Sequence, residues 1–258
     1  ATALEANLQE QDDEQNPPAG VGIHAFPRGA GPGTFLHGLF EWAGDEGFGN
    51  AASDEQALHD AVARRCNLRG WERWIDPLSA WLSHYLNASL RFSGTQCTLA
   101  TLSTYQVEME FWFSSRNVNV ERLDALVRQH TLGGALRPML APNQLNGMFK
   151  GFIDLTFEHA GRWYILDYKS NWLGPDASYY GGERLLQALA GEHYYLQYLI
   201  YLVALRRFLR QRLADFRDEQ LGGAFYLFLR GMPEAGVYFA RPDDALLDAL
   251  DRLFEEGR

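Results

Sequence analysis

Two stretches near the middle of the chain, 148–158 and 162–169, are rich in aromatic and β-branched residues, the signature of strands. His159-Ala160-Gly161-Arg162 lies between them with glycine at a turn position, so the pair predicts a β-hairpin. Upstream, Val107-Glu108-Met109-Glu110-Phe111-Trp112-Phe113 alternates at period two and predicts a strand over 105–113, preceded by another over 97–103. Apolar positions at helical spacing predict helices over 34–42, 53–66, 75–90, 119–130 and 183–212, with Thr34 as N-cap of the first and a glycine-rich loop over 44–50. A strand over 223–229 and a helix over 245–254 close the chain. The order is an α/β sandwich, a central mixed sheet flanked by helices with additional helices near the N-terminus. Residues 1–25 are polar and acidic and are expected to be a flexible tail, with the folded domain over 26–258.

The hairpin carries the candidate chemistry. If Ala160 and Gly161 form a two-residue turn, counting back along both strands sets Asp154 opposite Asp167, with Cβ atoms roughly 5 Å apart. Lys169 stands two residues beyond Asp167, on the same face by strand alternation. Two opposed carboxylates repel unless something cationic lies between them. A divalent metal ion beside an ammonium satisfies both, and metal-assisted phosphodiester hydrolysis is the chemistry such a group performs. Among the 23 basic residues only Lys150 and Lys169 are lysine. The chain therefore uses arginine for generic positive charge, and a compact ammonium at 169 points to a specific task.

A hydrophobic fraction of 47% supports a large core. No charged-then-apolar leader opens the chain, and the longest apolar run, Tyr194 to Leu205, is interrupted by Gln197 and too short for a bilayer. A non-exported cytoplasmic protein that does not enter membranes is expected. Cys66 and Cys97 are far apart and lack metal-ligand spacing, which argues against a thiolate zinc or iron–sulfur centre and fits free thiols in a reducing compartment. The formal charge of −10 opposes binding of a polyanion. The acids, however, crowd into 5–14 and 243–256, while Arg64, Arg65, Arg69 and Arg206, Arg207, Arg210, Arg212 cluster elsewhere.

An acid on one strand and acid-x-lysine on the next resemble the restriction-endonuclease-like PD-(D/E)-x-K superfamily. Blocks 26–41 (from Phe26-Pro27-Arg28 to Phe40-Glu41), 151–155, 166–174, 196–201 and 225–231 resemble one branch closely, the C-terminal nuclease domains of RecB helicase–nuclease subunits. No helicase motif is present, so the resemblance is to the nuclease domain alone. It implies a Mg²⁺-dependent DNA nuclease acting mainly on single strands in break processing and recombination, with Mn²⁺ able to substitute and Ca²⁺ not supporting cleavage. Asp154, Asp167 and Lys169 are the implied catalytic residues, and His37, Asp154, Asp167 and the Tyr168 carbonyl the implied metal ligands. Gln197 and Tyr201 match a Gln-x-x-x-Tyr element, which implies that they contact DNA or organise the site, and Arg28 is a further candidate nucleic-acid contact, through phosphate. Implied partners are DNA, the RecC and RecD subunits and the RecB helicase portion, with room for an inhibitor protein. The alternative is a catalytically silent module of the same fold that binds DNA or docks subunits.

Other charged positions have plainer readings. Glu108 and Glu110 alternate with apolar residues and are expected on a solvated strand face. The arginines of 206–212 read first as the polar side and C-terminal end of a helix, where positive charge suits the dipole.

Overall fold

The computed structural model describes residues 22–134 and 145–256. Four helices come first: α1 (Ala30–Asp45), α2 (Phe48–Ser53), α3 (Glu55–Asn67) and α4 (Ile75–Leu86). A small hairpin, β1 (Leu90–Phe92) and β2 (Thr95–Cys97), leads to the long strand β3 (Thr104–Val118) and helix α5 (Val120–His130). Then follow β4 (Leu145–His159), β5 (Arg162–Lys169), α6 (Gly182–Gly191), α7 (Tyr194–Arg212), β6 (Leu221–Phe228), β7 (Val237–Ala240) and α8 (Asp244–Glu256).

The main sheet has the order β3-β4-β5-β6-β7, antiparallel except for the parallel β5–β6 pair. A parallel pair needs a crossover, and α6 with α7 provides it. All residues of β6 are buried, as expected for a central strand covered on both faces. One face packs under α1 to α4 through Leu155, Phe157, Leu166, Tyr168, Phe225 and Leu227. The other packs against α5 to α8 through Met109, Ile153, Ile165, Tyr226 and Phe228. The result is the expected three-layer α/β sandwich with extra N-terminal helices.

Several boundaries differ from the sequence reading for identifiable reasons. α1 begins at Ala30, so Pro32 falls in its first turn, where no intrahelical N–H is required. The loop over 44–50 is partly the short helix α2. The single helix over 183–212 is two, because His193 has φ 54 and breaks the hydrogen-bond ladder between them. The strand over 97–103 is β2 followed by a turn of 3-10 helix, and β7 has no counterpart in the sequence reading. Residues 1–21 of the acidic stretch lie outside the described residues. Residues 22–25 form a turn whose Ile23 carbonyl accepts from the buried Arg230. No helix among the described residues is long and apolar enough to cross a membrane.

Candidate active site

Ala160 and Gly161 have φ 52 and 76, the left-handed pair of a type I′ hairpin turn, so β4 and β5 pair in the register counted from the sequence. His159 faces Arg162, and the ladder runs back to Leu155 facing Leu166. There it stops, one residue short of Asp154 and Asp167. Leu155 packs in the α1–α4 layer, yet Ile153, two residues away, packs in the α5–α8 layer. On β3, Val107 and Met109 change layers in the same way, and Glu108 between them has φ 47. The β3–β4 pair therefore turns over at Glu108 and Asp154 and leaves β5 as a fork.

The candidate residues line this fork. Asp154 Oδ2 accepts the backbone N–H of Tyr168 at 2.7 Å, replacing the ladder bond that β4 no longer supplies. The same oxygen lies 3.5 Å from His37 Nδ1 on α1. Asp167 Oδ2 lies 2.6 Å from Lys169 Nζ. Lys169 also donates to Gln197 Oε1 at 2.8 Å, and Gln197 Nε2 donates to Tyr201 Oη at 2.8 Å. The rings of Tyr194 and Tyr226 stand 4.0 and 4.8 Å from the ammonium, close enough for cation–π attraction. Five elements thus converge: α1, β4, β5, β6 and α7.

Close packing of α1 on the end of β5 brings His37 into place. A Cβ at Gly33 would stand 2.6 Å from Ser170 Oγ, so any larger residue would have to displace that hydroxyl, and His37 follows one turn later. Arg230, fully buried, fixes the same junction. It donates to the carbonyls of Ile23, Phe26 and Pro27 and, through Nε, to that of Ser170. Arg28, in the segment so held, lays its guanidinium over the Trp172 ring at 3.6 Å.

The electrostatics are those of acids short of a cation. Burial pushes the Asp167 carboxyl up to about 6, with Lys169 opposing and Asp154 adding to the rise. Burial lowers the His37 imidazole, but its hydrogen bond to Asp154 and the charges of Asp154 and Asp167 outweigh this, leaving it above its ordinary value. Among the described residues no three His, Cys, Asp or Glu side chains are gathered into a finished metal cage. Carboxylates with one imidazole are nevertheless the donor set that hard and borderline divalent ions take.

The PD-(D/E)XK nuclease superfamily model matches residues 19–257. The chain belongs to this superfamily. Asp154 and Asp167-Tyr168-Lys169 have the acid and acid-x-lysine form of the pattern in that name. Relatives include the RecBCD enzyme subunit RecB of Escherichia coli, 42% identical over 238 residues covering 90% of this chain and 20% of the relative. That of Haemophilus influenzae is 36% identical, covering 89% and 19%. The Mycobacterium tuberculosis subunit is 41% identical over 131 residues, 46% of this chain and 12% of the relative. The chain spans about a fifth of the length of the first two.

One acid near the site was expected elsewhere. Glu108 was expected on a plain solvated face. Its side chain is exposed, but its carboxyl is pushed up to about 7, first by lost hydration and then by the charges of Asp154 and Glu41. Glu108 falls between Val107 and Met109, which pair with Leu155 and Ile153, so it stands across from Asp154. Glu41, four residues after His37 on α1, is near enough for its charge to act on Glu108. Strand alternation alone conceals this, because the turnover of β3 re-aims Glu108. Glu110 is ion-paired with Lys150 at 3.0 Å. Three arginines of the 206–212 run are ion-paired within the protein. Arg206 pairs with Asp248 and Asp218, Arg207 with Asp251, and Arg210 with Asp218.

Proposed function

We propose that this nuclease-superfamily domain is a Mg²⁺-dependent deoxyribonuclease that hydrolyses phosphodiester bonds of mainly single-stranded DNA within a RecBCD-type assembly in the cytoplasm. The fork between β4 and β5 carries the reading: it gathers Asp154, Asp167, His37 and Lys169 from three elements onto one spot. His37, Asp154, Asp167 and the Tyr168 carbonyl would hold the ion. In a strand one residue's N–H and C=O point the same way, so the Tyr168 carbonyl faces β4, as its N–H does. A divalent ion there supplies Lewis-acid stabilisation of phosphoryl charge and a more acidic water.

The chain's own residues do the remaining work. Lys169 has three N–H groups; one goes to Gln197, Asp167 lies in ion-pair contact at 2.6 Å, and the ammonium orients the attacking water and offsets transition-state charge. In-line attack leaves a 5′-phosphate and a 3′-hydroxyl. Gln197 and Tyr201 are better read as positioning the ammonium than as DNA contacts, since both ends of the Gln197 amide are used inside the protein. Arg28, braced on Trp172, is read as a phosphate contact. RecC, RecD and a RecB helicase portion are the proposed partners, by analogy with the relatives.

Incubating the chain with end-labelled linear single-stranded DNA tests the reading. Cleavage is expected with Mg²⁺ or Mn²⁺, little with Ca²⁺, and none with chelator or with Asp167→Ala. Binding without cleavage under every ion would leave a silent module in its place.

A further inference from the structure

We infer that the β3–β4 arm beyond the fork is a base-stacking platform that feeds a single strand of DNA to the active site. This inference rests on the nuclease reading above and adds the surface that holds the substrate. Of the large apolar side chains exposed among the described residues, Trp112, Met148 and Phe152 are the ones on adjoining strands, 62%, 64% and 40% exposed. Trp112 pairs with Lys150, Glu110 with Phe152, and Ser114 with Met148 across the β3–β4 ladder. Strand alternation puts Glu110, Trp112, Met148, Lys150 and Phe152 on the face opposite Phe111 and Ile153, which are buried against the α7 layer. Lys150, one of only two lysines, holds its ammonium 5.3 Å from the Trp112 ring and 5.1 Å from that of Phe152.

An exposed apolar group on strands marks a binding surface, and three observations select its occupant. Two aromatic rings with a cation between them match a chain of bases joined by phosphates, which binds by stacking and charge neutralisation. The ion pair that engages Lys150, to Glu110, is solvent-exposed at both ends; such pairs are weak, so a phosphate can displace the carboxylate. The platform is also continuous with the site. Phe152 precedes Asp154 by two residues and Lys150 by four, so a strand laid along β4 reaches the fork within roughly 7 to 14 Å. A protein partner has no comparable need for that continuity.

The test is binding of a fluorescent oligothymidylate to the 258-residue chain without divalent ions, so that nothing is cut. Trp112→Ala is expected to weaken binding about tenfold and Trp112→Phe to retain most of it, because any aromatic face stacks a base. Lys150→Gln should lower the slope of log affinity against log salt by about 0.7, and Glu110→Gln should strengthen binding by freeing the lysine. With Mg²⁺, Trp112→Ala should raise KM for single-stranded DNA and leave kcat unchanged. Wild-type failure to bind, or equal binding by Trp112→Ala and wild type, overturns the proposal and leaves the surface to a protein partner. Trp112-dependent binding by a chain that cuts nothing would uphold this inference while refuting the nuclease reading.

Discussion

Lys169 at the end of β5 donates to Gln197 Oε1 on α7 at 2.8 Å, across a sequence separation of 28 residues. The same ammonium is 2.6 Å from Asp167 Oδ2, so one side chain is held from a strand and a helix at once. Tyr226 Oη, 3.0 Å from the same Gln197 oxygen, closes the network from β6. An ammonium on a flexible stem is thereby given one position, the condition for acting on a water held nearby.

If Gln197 positions the lysine, Gln197→Leu lowers kcat about tenfold, part of the 10² to 10⁴ that a positioned proton-handling group contributes. KM for DNA and the Mg²⁺ requirement stay near wild type. A raised KM with unchanged kcat, from steady-state kinetics, would return Gln197 to the DNA-contact role.

Lys169 also stabilises the ion-free fold. Lys169→Met leaves buried Asp167 without its cation beside Asp154, and breaking such a pair costs about 3 kcal/mol. Lys169 lowers the Asp167 pKa from where burial alone would place it, so its removal raises that pKa further above the unfolded value. The destabilisation is therefore small where Asp167 is protonated and grows as pH rises through about 6. Urea denaturation at several pH values checks this; a loss independent of pH would contradict it.

His37 and Lys169 should separate kinetically. His37→Ala removes an imidazole ligand, so the ion concentration for half-maximal activity rises more than saturated rate falls, and Mn²⁺, which takes nitrogen ligands more readily, outperforms Mg²⁺ at low concentration in wild type. Lys169→Ala retains ion binding by calorimetry while the rate falls by about 10² or more. An unchanged ion requirement in His37→Ala would remove His37 from the ligand set.

Glu108 tests the third acid. Its carboxyl is raised from 4.5 to about 7, so the folded state holds a proton that the unfolded state gives up, and ion-free stability falls as pH rises across that window. Glu108→Gln escapes this loss. Its melting temperature should match wild type near pH 4 and exceed it by a margin that widens to pH 8. A constant margin would mean that the Glu108 carboxyl is neither desolvated nor repelled by Asp154 and Glu41.

Local chemistry made the hairpin legible. Left-handed φ at Ala160 and Gly161 is a property of two adjacent residues, and once the turn is set, every pairing down to Leu155 and Leu166 follows by counting. Asp154, Asp167 and Lys169 could be placed together for that reason. His37 could not, because α1 reaches the fork only through the close approach of Gly33 to Ser170 and the carbonyls gathered by Arg230. No periodicity encodes either contact; only the resemblance pointed to it. The helix break at His193 was hidden similarly, since apolar spacing continues through a residue whose φ reverses.

The amino-acid sequence by itself determined the elements whose signals lie within a few residues: the strands β3 to β6, the turn, the hairpin register and the acid-x-lysine unit that the register presents. Tertiary structure decided what those elements face. It turned β3 and β4 over at Glu108 and Asp154, so that an acid read as solvated joins the site and Trp112, Lys150 and Phe152 form a surface of their own. It also set Gln197 and two tyrosine rings around Lys169. The physical reason is range. Backbone conformation and alternation are set by neighbours along the chain, whereas the burial, charge and hydrogen bonds that tune an ionisable group come from residues that only packing brings near.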